Sequence, residues 1–543
     1  MKKLILTSLA FSIIIAMGSC EKDLAIQNPN QPTPESVNTE AGVIQFAIGG
    51  IYVNGFRDLK YADGVFGPFW SGATGFHEMM GDVIGCDAAN AFMNQIGCPE
   101  RVTHDDGQVV NNPNSPNTQV GLIRANNVNS QAGNNTLYYE WAYMYNLVGA
   151  CNLLLERADV VPFSGDAASK KAAVKAIAYW WKGFAYSRIG SSYYAGLLID
   201  KYLETNNKYV AKEKMIEEGN KLLDLAVTTA KAAPNAVNFT NFVRLMYPSF
   251  FQAGKGFPIT PAMLERNVNT LKARNLMVNK TTATMTAADW NNVLTLANNG
   301  ITNSDNIFTA RTNDRGDLFT FTQFTSGKTI STLAGGSTYK ISERWAQEFK
   351  TGDKRRDNNL NQTTPYLGQA DRGNAHFTRW ALVGRGKGMP GVVVYANADF
   401  NAYEMHLAGD FEENELMKAE ALINTNMVEQ GLAIIDNIRN LQGAGLTAVA
   451  GTSLTQVLAR EELRRERRVV VAFRGLSFYD ARRWGVIEKG VGRKGAWAVK
   501  NTGVFSSNAT FEYNYMDYWD VPGNELTYNE PAAGSAPIKN PKF

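Results

Sequence analysis

The stretch REELRRERRVVVAFRGLSFYDARRWG, from Arg460 to Gly485, packs arginines, glutamates and valines into one block, and its reading decides the fold. Three roles compete for such a cluster: a surface for nucleic acid, a catalytic site, or an internal framework. A polyanion-binding surface works by releasing counterions and is mostly basic. Here Glu461, Glu462 and Glu466 stand among the arginines and cancel much of their field. On a helical wheel started at Leu454, residues Leu458, Glu462, Arg465, Glu466, Val469 and Phe473 fall on one face. Two carboxylates on an apolar stripe must be ion-paired, because an isolated buried carboxylate would neutralise or destabilise the fold. Arg439, Arg465, Arg482 and Arg483 are the partners at hand. A glutamate pair can act as general acid and base, but these two lie on one helix among cations. The block reads as framework.

Charge over the whole chain agrees. A net charge of +3 over 543 residues argues against a general nucleic-acid binder. The length by itself suggests roughly three or four domain-sized units. Aromatics make up 11% of the chain, many of them in Gly/Asn-rich stretches outside helical patterns, where they are candidates for flat contact with a ligand.

The N-terminus speaks to compartment. MKKLILTSLAFSIIIAMGSC has two lysines, an apolar run too short to span a bilayer, and small residues before Cys20. Residues 1–19 read as a lipoprotein signal peptide, and Cys20 as the lipidated residue. Residues 20–40 then form a polar, proline-bearing tether. Cys86 and Cys98 could form a disulfide in an exported protein, a pairing that spacing alone leaves open. Cys151 reads as a buried small hydrophobe.

Helical periodicity dominates residues 41–59, 137–302 and 406–485, with a cap at Asp166 or Ser169 and helix pairs throughout. Repeated helical hairpins of this size suggest a tetratricopeptide-like solenoid. Between them, residues 60–136, 303–405 and 486–543 read as long irregular loops rich in Gly, Asn, Thr and aromatics. Loops this long are usually functional or disordered, and their aromatic content argues against disorder.

The order of these elements resembles the SusD/RagB family of outer-membrane nutrient-binding lipoproteins of Bacteroidetes. MKAEALINT, then IIDNIRNLQGAGL, then the opening block match the family's terminal pattern in order and spacing, with Ser477 at its usual arginine position. YEWAYMYNLVGACNLLLERAD, TLKARNLMVNK with ADWNNVLTLANNGI, and RWAQEFKTGDKRRDNNL resemble its upstream segments. The resemblance implies a mainly α fold of tetratricopeptide-like helix pairs, with large irregular ligand-binding loops, forming one SusD-like domain over 41–543. It also implies a lipid-anchored protein of the outer membrane, at the cell surface, that is not an enzyme and needs no cofactor. Such a protein captures an oligosaccharide, or a peptide in the RagB branch, for a SusC-like TonB-dependent transporter. A surface glycan hydrolase is the alternative.

Catalytic motifs are incomplete. HEMMGD begins like the zinc-protease motif, but position 81 is glycine where the second histidine ligand would stand. Four scattered histidines make a His-based metal site an unpromising reading, and no metal is expected. A sugar presents an apolar face and a rim of hydroxyls, so its binder needs an aromatic platform ringed by amides, carboxylates or arginines. The richest stretch offers Phe69, Trp70 and Phe76 near Asp82, Asp87, Asn90 and Asn94. In SusD-like proteins the ligand loops commonly follow the first helix and interrupt the middle of the chain, which points here to residues 60–105 and, second, to Tyr366, Arg372, His376 and Trp380.

Overall fold

The computed structural model describes residues 34–52, 59–60, 66–67, 69–86, 92–248, 259–305, 309–311, 339–368, 377–383, 386–395, 404–406 and 408–543; of residues 69–73 it describes the backbone alone. The fold is mainly α. Helix α1 (Glu40–Phe46) runs into a π-helical turn at Ala47–Tyr52, and α2 spans Phe69–Met80. Four helix pairs follow: α3 (Thr136–Val160) with α4 (Ala167–Ser192), α5 (Lys212–Lys231) with α6 (Ala236–Leu245), α7 (Pro261–Val278) with α8 (Ala287–Asn298), and α9 (Phe411–Asn424) with α10 (Val428–Leu441). The terminal block folds as α11 (Gln456–Val470) and α12 (Ser477–Arg483).

Local chemistry sets the helix ends. The Asp166 side chain accepts the Ser169 amide at the start of α4, and Thr286 and Asp289 form a reciprocal capping box at the start of α8. Pro261 opens α7 at a position where its missing N–H costs nothing.

Helix α4 is the axis of the core. Every residue from Trp180 to Ser192 is buried, which is the signature of a helix covered on all sides. Helix α5 lies against it because glycines remove the side chains that would hold the backbones apart. A Cβ on Gly183 would sit 2.9 Å from the Gly219 carbonyl oxygen, and one on Gly219 would sit 2.7 Å from Ser187 Oγ.

The opening block is framework, with one adjustment. Glu462 and Glu466 are buried and ion-paired, but Leu458 is 55% exposed. The apolar stripe of α11 runs one position later, through Ala459, Leu463, Glu466 and Val470. Of the expected partners, Arg439 pairs with both glutamates. Arg355 and Lys350 supply the rest. Arg465 instead donates to the carbonyls of Gln347 and Glu348, and Arg482 to those of Ser191, Asp517 and Val278. Arg483 pairs with Asp480 and Glu420.

Two of the long loops are more ordered than their sequence suggests. Strands β2 (Arg101–Thr103) and β3 (Val109–Asn111) join β7 (Arg493–Val499) and β8 (Phe505–Glu512) in a four-stranded sheet of order β7-β8-β2-β3. Val102 stands opposite Phe511. A three-residue strand carries too little alternation to announce itself, and its partner lies at the other end of the chain. Cys86 and Cys98 are not joined in a disulfide; they and Cys151 are buried thiols. Among the described residues, no helix is long and apolar enough to cross a membrane.

Candidate functional site

Helix α2 ends in a turn at Gly81–Val83 and leads into β1 (Ile84–Cys86). This strand pairs antiparallel with β4 (Tyr339–Ile341), setting Ile84 opposite Ile341 and Cys86 opposite Tyr339. Beside β4 packs β6 (Thr378–Leu382), the second strand of a hairpin begun by β5 (Leu360–Tyr366). The two stretches singled out from the sequence thus meet through three short strands.

The aromatic residues of the hairpin sit at its surface. Tyr366 is half-buried opposite Thr378, with the Lys340 ammonium 4.4 Å from its ring centroid. Trp380 is half-buried opposite Gln362, with the Arg356 guanidinium 5.9 Å from its ring centroid. Its indole nitrogen is buried and has no hydrogen-bond partner among the described residues. Neighbouring side chains on a strand point to opposite faces. Arg379 accordingly turns to the other side, where it binds Glu343 at 2.9 Å and lies 3.5 Å from the Phe505 ring centroid.

Other nominated residues lie inside the protein, which corrects the expectation that they face a ligand. Phe76 is buried with its ring 5.2 Å from that of Trp519. Asp82 is buried and accepts hydrogen bonds from Arg344 Nη2 and Ser342 Oγ, both at 2.8 Å, and from the Tyr513 hydroxyl at 2.5 Å. Burial alone would raise its pKa, but Arg344 more than offsets this and holds the carboxyl well below the ordinary value. Asn94 is buried, and its carbonyl accepts the Cys98 thiol. Asp87, Asn90 and Arg372, with the side chains of Phe69 and Trp70, lie outside the described residues.

The residues of HEMMGD are structural as well. His77 Nε2 lies 2.8 Å from Glu140 Oε2, and Arg188 Nε lies 2.6 Å from the other oxygen, all of it buried. Burial lowers the His77 pKa against the pull of Glu140. Glu78 accepts the amides of Phe473 and Gly475 and the Ser477 hydroxyl, fastening α2 to the loop after α11. A Cβ on Gly81 would lie 2.3 Å from that of Ser477, so a histidine has no room there.

Two cavities went unread in the sequence. A cleft of about 800 Å³ lies between the loop after α4 and the C-terminal segment, lined by Tyr145, Tyr202, Asn206, Asn207 and Tyr528 among others. Its parts come from α3, from the loop after α4 and from a C-terminal segment more than 300 positions further on, and no local pattern links them. A second cavity, of about 310 Å³, is lined by arginines of the opening block.

Comparison with known proteins places this architecture. Residues 415–533 match the SusD family. No curated protein matches the chain in sequence. Among solved structures, a SusD-like carbohydrate binding protein from Bacteroides vulgatus superposes with a TM-score of 0.56 at 13% identity, covering 93% of this chain and 99% of its own. A SusD-like carbohydrate binding protein from Bacteroides fragilis gives 0.54 at 16% identity, covering 90% and 98%. A SusD homolog from Bacteroides thetaiotaomicron gives 0.52 at 12% identity, covering 83% and 88%. The chain thus has the fold of these SusD-like structures over nearly its whole length, and its segment 415–533 matches the SusD family.

Proposed function

We propose that this protein is a cell-surface lipoprotein that binds a nutrient oligosaccharide and passes it, uncleaved, to a SusC-like TonB-dependent transporter of the outer membrane. The observation that carries the reading is the β1–β4–β6 junction. It draws the stretch after α2 against the hairpin bearing Tyr366 and Trp380. Half-buried rings beside Lys340 and Arg356 are what a sugar's apolar face and hydroxyl rim require. The naming of two of the superposed Bacteroides structures as carbohydrate binding proteins supports the same class of ligand.

The test is binding of a panel of purified oligosaccharides by calorimetry, with the sugars recovered and sized afterwards. Retention of an intact oligosaccharide supports the proposal. Shortened products would make the protein a glycan hydrolase, and binding of peptides alone would place it with the RagB branch. Tyr528→Ala serves as the control for location, since it removes an exposed ring from the separate cleft. Loss of binding there, with Trp380→Ala unaffected, would move the site.

A further inference from the structure

The 310 Å³ cavity beside α11 is lined by five cationic side chains: Arg464, Arg465, Arg468, Arg493 and Lys494. Three carboxylates reach it, Asp82, Glu348 and Glu461, and Asp82 is already held by Arg344. Glu348 and Glu461 remain for five cations. Glu348, 1% exposed, is contacted by Arg464 at 2.9 Å, Arg468 at 2.9 Å and Arg493 at 2.7 Å, with Arg465 at 3.9 Å. Among the described residues, Glu461 pairs with Arg464 alone.

The donors are unevenly used. Arg464 is bidentate to both glutamates, and Arg468 donates to the carbonyls of Gly81 and Asp82. Among the described residues, Arg493 makes one side-chain hydrogen bond, to Glu348, and the exposed Lys494 makes none. Gathering like charges in a partly buried site costs free energy unless a counter-charge enters. Burial pushes the Arg493 pKa below its ordinary value although Glu348 pulls it up, and Arg468 and Arg464 add to the depression.

We infer that this cavity is a binding site for a small oxyanion, held chiefly by Arg493 and Lys494 at its open side. Planar guanidinium forks match the paired oxygens of sulfate, phosphate or carboxylate. The volume is at the lower end of ligand pockets, enough for such an ion with water or for one acidic sugar residue. The inference rests on the charge balance and the cavity, and it stands whether or not the hairpin face binds sugar.

Thermal melts and calorimetry of the mature protein test it, with sodium sulfate compared against sodium chloride at equal ionic strength, and glucuronate against glucose. Sulfate should raise the melting temperature saturably beyond chloride. Arg493→Gln should weaken sulfate binding at least about tenfold, as loss of a charge-assisted donor does. Lys494 is exposed and bonds to none of the described residues, so Lys494→Glu should fold normally and abolish binding by putting a carboxylate at the mouth. Glucuronate binding more tightly than sulfate, with glucose silent, assigns the site to the acidic group of a sugar. Sulfate binding as tightly or more tightly assigns it to the free ion. Equal melts in sulfate and chloride, or a Lys494→Glu protein that binds sulfate like wild type, overturn the inference.

Discussion

Arg355 and Glu466, 111 residues apart in the chain, meet in the core with Nη1 2.6 Å from Oε1. Arg439 closes the other carboxylate oxygen at 2.8 Å and also reaches Glu462. Burial would raise the Glu466 pKa, but the two guanidiniums outweigh it and hold the group ionised below its ordinary range. This network ties α10 and α11 to the segment before the β5–β6 hairpin. Removing one partner of a buried ion pair typically costs about 3–5 kcal/mol, because the charges left behind lose their counterpart. Glu466→Ala is expected to lower stability by that amount in urea titrations. The folded fraction should bind ligand normally; a variant of wild-type stability that no longer binds would contradict the framework role.

Acid should unfold this protein through its buried carboxylates. Glu348 is pushed up by burial, but Arg493, Arg464 and Arg468 bring it down to about 2. Glu140, likewise raised by burial, is brought to about 2 by Arg188 and His77. A carboxyl whose folded pKa is depressed contributes stability that is present above its unfolded value, here 4.5. That contribution is lost as pH falls from there toward about 2. Unfolding free energy measured against pH should fall steeply over this window. Glu348→Gln should be less stable at neutral pH and show a flatter acid limb; an unchanged limb would mean that Glu348 is not ionised in the fold.

How much of this was legible in the sequence follows from the range of each cause. Helices α3 to α5 and α7 to α10 announce themselves through local periodicity and caps such as Asp166, whose partner Ser169 is three residues away. The environment of Asp82 was not legible, because the arginine that neutralises it stands 262 residues later. In a Gly/Asn-rich stretch beside aromatics, a buried and paired aspartate looks the same as a ligand-binding one. Phe76 misled for the same reason, since its neighbour Trp519 comes from the far end of the chain. Tyr366 and Trp380 follow from where the resembled family places its ligand loops, and the hairpin that carries them could not be foreseen from LNQTTPY, which has no clean alternation.

Cys20 lies outside the described residues, and its lipidation is testable directly. Multiple acyl chains give stable anchoring where a single chain gives marginal binding. Cys20→Ala is expected either to appear in the supernatant after membranes are pelleted or to accumulate as uncleaved precursor. A variant that is processed and pelleted like wild type would show that Cys20 is not the anchor.

Trp380 gives the sharpest test of the candidate face. Its ring is half-buried, so truncation forfeits less packing than the about 3–5 kcal/mol expected for a buried tryptophan. Its neighbour Arg379 faces away to Glu343 and Phe505, so the hairpin keeps its anchorage when the indole is gone. If the ring stacks on a sugar, Trp380→Ala should weaken oligosaccharide binding at least about tenfold while lowering stability by no more than about 2 kcal/mol. Trp380→Phe should recover part of the affinity, because it restores an aromatic face without the N–H. Should the alanine variant melt several kilocalories lower and bind the surviving sugar as before, Trp380 is packing for the hairpin and the ligand lies elsewhere. Stacking and sparse hydrogen bonding to an exposed polar ligand give modest affinity. That modest affinity is what a protein needs if it must release its cargo to a transporter as readily as it captures it.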